Sequence, residues 1–308
     1  MHIAAKQIIF LALGGFTAFY LATLLASLRQ TLRRGGSSEP GSFQMPSTAH
    51  LATGFITNFF DTLGIGSFAT TTSVFKFMRM VPDRLIPGTL NVGHTLPVIF
   101  QAFVYILVVE VEVVTLTLMI AAAVIGAWFG AGLVASLSRR AVQIGMGSAL
   151  LLAAVAMFMS QMELFPIGGN SLRLEGWRLP VGMAGNFLFG AVSTLGVGFY
   201  APCMTLVSLL GMNPAAAFPI MMGSAAFLMP VASVRFLRSR AYFGTVAVGL
   251  AVGGLLGVPL AAFVVKSLPL FAIRWLVIIV VLYAAILMLR SAFENVDVEG
   301  VTLSGVDE

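Results

Sequence analysis

Charge is scarce in this chain. Asp, Glu, Lys and Arg make up only 9% of its 308 residues, while 59% are hydrophobic. A soluble domain carries roughly 25% charged residues, so an ordinary soluble globule is excluded. The one cysteine, Cys203, allows neither an internal disulfide nor a thiolate metal cluster, and it reads as inert core. The three histidines, His2, His50 and His94, show no ligand spacing, so no metal and no other cofactor is expected. The net charge of +5 lies in loops, without a basic patch interleaved with exposed aromatics. It speaks of membrane orientation and not of nucleic acid. A nucleotide-binding motif is missing, so transport would draw on ion, proton or substrate gradients. Ser224 and His94 could be imagined as an intramembrane catalytic dyad, but no Gly-x-Ser-x-Gly elbow surrounds Ser224. The expectation is a chain that is not an enzyme.

What the chain does have is a series of uncharged runs reaching the roughly 20 residues that cross about 30 Å of hydrocarbon. None reads as a strand array. The expected class is an all-α, polytopic integral membrane protein. The first run, 8–28, is too long for a signal-peptide core. Lys6 precedes it and Arg29, Arg33 and Arg34 follow, which reads as an uncleaved anchor with a cytoplasmic C-terminal end. The organisation is then an N-terminal anchor helix at 1–34 and a Gly/Ser/Pro-rich linker at 35–47. Two repeats follow, at 48–160 and 179–292, joined by a polar connection at 161–178. A polar tail at 293–308 reads as disordered.

The repeats announce themselves in one phrase. Thr62-Leu63-Gly64-Ile65-Gly66-Ser67-Phe68-Ala69 returns as Thr194-Leu195-Gly196-Val197-Gly198-Phe199-Tyr200-Ala201. Met80, Pro82 and Pro87 answer in the same register to Met212, Pro214 and Pro219. Glycine costs a helix about 1 kcal/mol relative to Ala, and a break in hydrocarbon leaves backbone groups unpaired. Two Gly-broken segments at matching places in two halves are a sequence pointer to a transporter site. Each segment could cross the membrane kinked, or dip in and return as a re-entrant pair of half-helices. Re-entry leaves only Lys6, Arg173, Arg178, Lys266 and Arg274 of the 17 basic residues outside, whereas crossing splits them almost evenly. The positive-inside rule therefore prefers hairpins. Three full spans per half would then invert the second repeat against the first. Gly126, Gly130 and Gly132, and Gly249, Gly253 and Gly257, have the spacing of close helix packing.

This plan resembles the TauE/SafE sulfite exporter family, also called toluene-sulfonate uptake permeases, over roughly residues 50–290. The carrying motifs are Gly54…Leu63-Gly64-Ile65-Gly66 and Gly190…Leu195-Gly196-Val197-Gly198, with Pro82 and Pro214 before the next spans. Members commonly show three glycines at the break, where this chain has Ser67 and Phe199. The resemblance implies a permease for sulfite, sulfonates or related small anions in the bacterial inner membrane. An anion channel using the same paired segments is the alternative, and a homo-oligomer is left open. The expected partners are the small anion and the lipid bilayer.

The candidate substrate-binding residues are Thr62, Gly64, Gly66, Ser67, Thr70, Asn91, His94, Thr194, Gly196, Gly198 and Ser224. Freed N–H groups and half-helix N-termini suit an oxyanion, and hydroxyls donate without adding charge. The bland alternatives are glycines used for packing alone and hydroxyls bonded to a carbonyl one turn back. Asp61 is the only acid in the middle of an apolar segment. It reads either as a proton-coupling group or as a cap on the second half-helix. His94 and Asn91 share a helix face, and His94 reads equally as a relay or as a packing residue. Lys76, Arg79 and Arg84 read as snorkelling anchors, and Trp177 and Trp275 as interface belt.

Overall fold

The structure, a computed structural model, describes residues 2–34, 45–63, 65–134, 137–164, 169–194, 199–213, 216–264 and 270–293. Gly64, Gly196, Gly198 and Pro214 lie outside the described residues, as do most of the linker and the C-terminal tail. Eleven α-helices are described: α1 His2–Arg34, α2 Thr48–Thr62, α3 Ser67–Met78, α4 Ile86–Val108, α5 Val113–Val134, α6 Arg139–Gln161, α7 Arg178–Ser193, α8 Tyr200–Leu209, α9 Ala217–Ser239, α10 Gly244–Val264 and α11 Leu270–Phe293. No strand occurs among the described residues, only one isolated bridge between Ser171 and Met212. Five of the described helices are long and apolar enough to cross a membrane, the architecture of a multi-pass membrane protein.

Both glycine-rich phrases divide a segment into two helices. Ser47 and His50 form a capping box that starts α2. Gly66 stands before α3 with φ +91°, a backbone conformation that a side chain strains against. In each segment the second helix turns back on the first. On α4, His94 is bonded by Asn58 of α2 and by Thr71 of α3. Thr62 meets Gln101 and Tyr105 further along α4. Lys76, near the end of α3, pairs at 2.8 Å with Asp83, just before α4 begins. So α2 runs along α4 and α3 returns. The second segment does the same: Cys203 of α8 bonds Asn186 of α7, and a Cβ on Gly185 or Gly182 would meet Leu206 or Leu210. The ends of this hairpin close together, with the Arg178 guanidinium beside Gly211.

Close approach of backbones seats both hairpins. A Cβ on Gly253 or Gly257 of α10 would fall on the carbonyl oxygen of Leu51 or Phe55 of α2. On Gly126 or Gly130 of α5 it would fall on that of Phe187 or Ala191 of α7. Thus α2 runs parallel to α10, and α7 parallel to α5. The small residues four apart therefore serve contact between helices. Gly132 is the exception, since it faces the Arg235 guanidinium. At the centre, α4 crosses α9 antiparallel, with Thr95 bonded to Ser233 and Ile106 near Gly223. Helix α6 packs on α11, α3 beside α11 and α8 beside α6. The most apolar window of α9 is 89% buried, against 22% for α1, so α9 is the hub and α1 an outrigger. Tyr20 donates to the Val92 carbonyl, Ser27 bonds the Tyr242 hydroxyl, Phe10 stacks on Phe103 and Phe16 meets Phe227, and these contacts tie α1 on.

Candidate functional site

The tips of the two hairpins meet. Between them lies a cavity of about 30 Å³, enough to hold a water and too small for a larger anion without movement. From the first hairpin Asp61, Gly66, Ser67 and Phe68 line it, and from the second Ser193, Phe199 and Tyr200. Helix α9 supplies Ala225, Leu228 and Met229, and α4 supplies Val98. Two helices begin at this wall, α3 at Ser67 and α8 at Tyr200. Their first N–H groups have no partner within the helix, and each N-terminus carries partial positive charge.

Asp61 is fully buried. Its Oδ2 accepts from the Tyr200 hydroxyl at 3.3 Å, which joins the two hairpins directly. Oδ1 has no partner at bonding geometry, although the N–H and hydroxyl of Ser67 lie near enough to act on the carboxyl. The Tyr200 hydroxyl is equally 3.3 Å from Gln101 Oε1, so one proton serves two acceptors. Gln101 in turn donates to Thr62 Oγ1 at 3.1 Å, and the Tyr105 hydroxyl donates to the Thr62 carbonyl at 2.6 Å. Asp61 is thus one end of a buried polar chain that runs from the first tip, through the second, into α4.

Most of the hydroxyl candidates turn inward on their own helices. Thr62 donates to the Asn58 carbonyl, Thr70 to those of Gly66 and Ser67, Ser193 to Gly190 and Thr194 to Ala191. A hydroxyl has one proton to give, and in these it is already given. Of the proposed ligands among the described residues, only Gly66 and Ser67, with Asp61, line the cavity. Thr70→Val should therefore leave substrate affinity within about twofold of wild type, a change below about 0.5 kcal/mol. Saturation kinetics in proteoliposomes would measure this, and a large rise in KM would return Thr70 to the site.

His94 sits elsewhere, as a clasp between the arms of the first hairpin. The Gly54 carbonyl takes the amide N–H of Asn58, which leaves Asn58 Oδ1 facing His94 Nδ1 at 3.0 Å. In a neutral ring Nδ1 then carries the proton, and Nε2 accepts from the Thr71 hydroxyl at 3.0 Å. Both nitrogens are occupied by protein. The second hairpin has a matching knot, where Asn186 takes the Cys203 thiol on Oδ1 and donates to Ser224 and to the Met119 carbonyl. Ser224 and His94 thus belong to separate knots. Asn91 donates to the Pro87 carbonyl, and its own Oδ1 is buried without a partner. His94→Ala would open a void and orphan Asn58 Oδ1, at a cost of about 3 kcal/mol. A clear fall in the midpoint of thermal denaturation is expected, and an unchanged midpoint would show that the clasp contributes nothing.

Sequence reasoning missed Gln101, Tyr200, Asn58 and Asn186. The signal for Tyr200 was available, since it stands in the second phrase where the first has Phe68. Lys76 also differs from expectation. It is an ion-pair partner of Asp83, which Gln143 bonds as well, and not a free snorkelling chain. Arg235 stacks over Trp128 at 3.9 Å, a contact no motif marked.

No family model, curated protein or solved structure matches the chain.

Proposed function

We propose that the chain is a secondary transporter of small anions, and that its two halves form an inverted pair of repeats. One observation carries the reading: the N-termini of α3 and α8, on separate hairpins, converge on a single buried cavity. Two such termini, with glycine admitting close backbone approach, favour an oxyanion. Inversion is supported by the helix directions. Helix α2 follows α4 and α10, α7 follows α5, and α4 opposes α9. Exchanging the halves carries α2 on α10 into α7 on α5, and α3 beside α11 into α8 beside α6. Inverted repeats with the site between them are a recurring transporter plan.

The resemblance of the two glycine phrases to TauE/SafE exporters makes sulfite, thiosulfate and short sulfonates the first substrates to try, and the bacterial inner membrane the expected location. It rests on those phrases and their order alone. A protonated Asp61 beside the cavity would admit an anion without repulsion, so proton coupling is part of the proposal. The cavity holds no more than a water, and so narrow a site favours a carrier that moves to admit its anion over an open channel. Purified protein in proteoliposomes should show saturable uptake of one of these anions with counterflow. Unitary currents would establish the channel instead, and no flux of any sulfur oxyanion or sulfonate would remove the substrate class.

A further inference from the structure

Away from the hairpin tips, α1 stands off from α5 and leaves a crevice of about 470 Å³, within the range of ligand sites. Ile8, Ile9, Ala12 and Phe16 of α1 form one wall, and α5 from Val113 to Ile125 forms the other. Phe227 of α9 closes the back and meets Phe16 edge-on. The α5 wall rises about 18 Å, close to the roughly 15 Å of one bilayer leaflet. Beside it lies a second, polar hollow of about 600 Å³, where Lys6 and Arg173 stand with Glu110 and Glu112. The two hollows are neighbours at one end of α1 and α5, because Lys6 lies two residues before Ile8 and Glu112 directly before Val113.

We propose that this compound site seats one phospholipid with a zwitterionic, primary-amine headgroup, phosphatidylethanolamine. One acyl chain lies in the crevice, the phosphate lies toward Lys6 and Arg173, and the ammonium lies toward Glu110 and Glu112. The charge set selects this class. Two cations alone would favour an anionic lipid, but two carboxylates at the same mouth oppose a net negative headgroup. A quaternary choline carries no N–H to donate to them. Glu112 is held as an acceptor: its Oε2 takes the Thr115 N–H at 2.7 Å. Burial pushes its carboxyl up, but that N–H, the Thr115 hydroxyl, the Val114 N–H and last the Arg173 charge together outweigh burial and hold it below the usual range. Arg173 also pairs with Glu175 at 2.6 Å, on exposed side chains, so it can turn to a phosphate at little cost. Lys6 has no ion pair among the described residues.

The test is native mass spectrometry of the full chain in detergent, with phosphatidylethanolamine, phosphatidylcholine and phosphatidylglycerol each added at equal concentration. Headgroup contacts of about 1 kcal/mol should give about fivefold greater retention of the ethanolamine lipid over either competitor. Ala12→Trp, which fills the crevice, should abolish that retention. Glu110→Gln, on an exposed residue, should narrow the gap between ethanolamine and choline lipids, and Glu110→Gln with Glu112→Gln should bring them level, even if the tryptophan variant fails to fold. Equal retention of all three lipids by the wild type, a preference for the glycerol lipid, or a full ethanolamine preference in the Glu110→Gln, Glu112→Gln double variant would each overturn the proposal. The site is independent of the anion cavity, and transport assays do not bear on it.

Discussion

Asp61→Asn should abolish proton-driven accumulation while substrate still binds. Asn keeps the size of Asp and caps helices as well, so a purely structural role would barely register. What Asn cannot do is gain and lose a proton at the junction of the two tips. Asp61 Oδ2 faces Tyr200 of the opposite hairpin, and Oδ1 lies without a partner at the cavity. In the proposed transporter, a carboxyl placed there would be neutral when the anion is present and charged when it leaves. The expected result is substrate exchange close to wild type, with uphill uptake under an imposed pH gradient reduced to the passive level. Proton flux and substrate flux would be recorded together in proteoliposomes. Unchanged coupling in Asp61→Asn would make the residue structural.

The second large effect concerns assembly. Gly130→Leu would place a side chain where the backbone of α7 lies at Ala191. The second hairpin could then not seat on α5. Overpacking a core against movable side chains costs about 1–3 kcal/mol, and backbone cannot yield as side chains do. Little folded protein is expected in membranes or on gel filtration. The control is Gly14→Leu on α1, where a Cβ meets nothing within 4 Å. It carries the same change in bulk, and it should express and migrate as wild type. Similar behaviour of the two variants would dissolve the claim that close α5–α7 contact holds the hairpin.

The backbone plan is more legible than the site. Gly64 with Gly66 and Gly196 with Gly198 stand out because glycine pairs inside apolar runs are costly unless used. Charge bias alone distinguishes hairpin from crossing, and the helix contacts agree with hairpins. Asp61 is visible because a lone acid in hydrocarbon needs a reason. Its partners are not visible, since Gln101 and Tyr200 reach it only through tertiary packing of α4 and α8. The hydroxyls mislead for a related reason. Composition shows that Thr62, Thr70 and Thr194 can donate, but only geometry shows where the proton goes. His94 is conspicuous in sequence, yet its meaning depends on Asn58 and Thr71, one on each arm of a hairpin whose closure it secures.

The exchange of seats between the halves also sets a timetable for synthesis. The second hairpin leaves the ribosome when α5, its seat, is already in the membrane. The first hairpin must wait for α10. From the end of α2 at Thr62 to the end of α10 at Val264 is about 200 residues, or roughly 10–40 s at the usual 5–20 residues per second. For about the first two thirds of that interval the buried Asp61 lacks Tyr200, and until its end Asn58 lacks the face of α10. The nascent first half is therefore the stretch that most needs shelter by the insertion machinery, and the completed second half is what releases it.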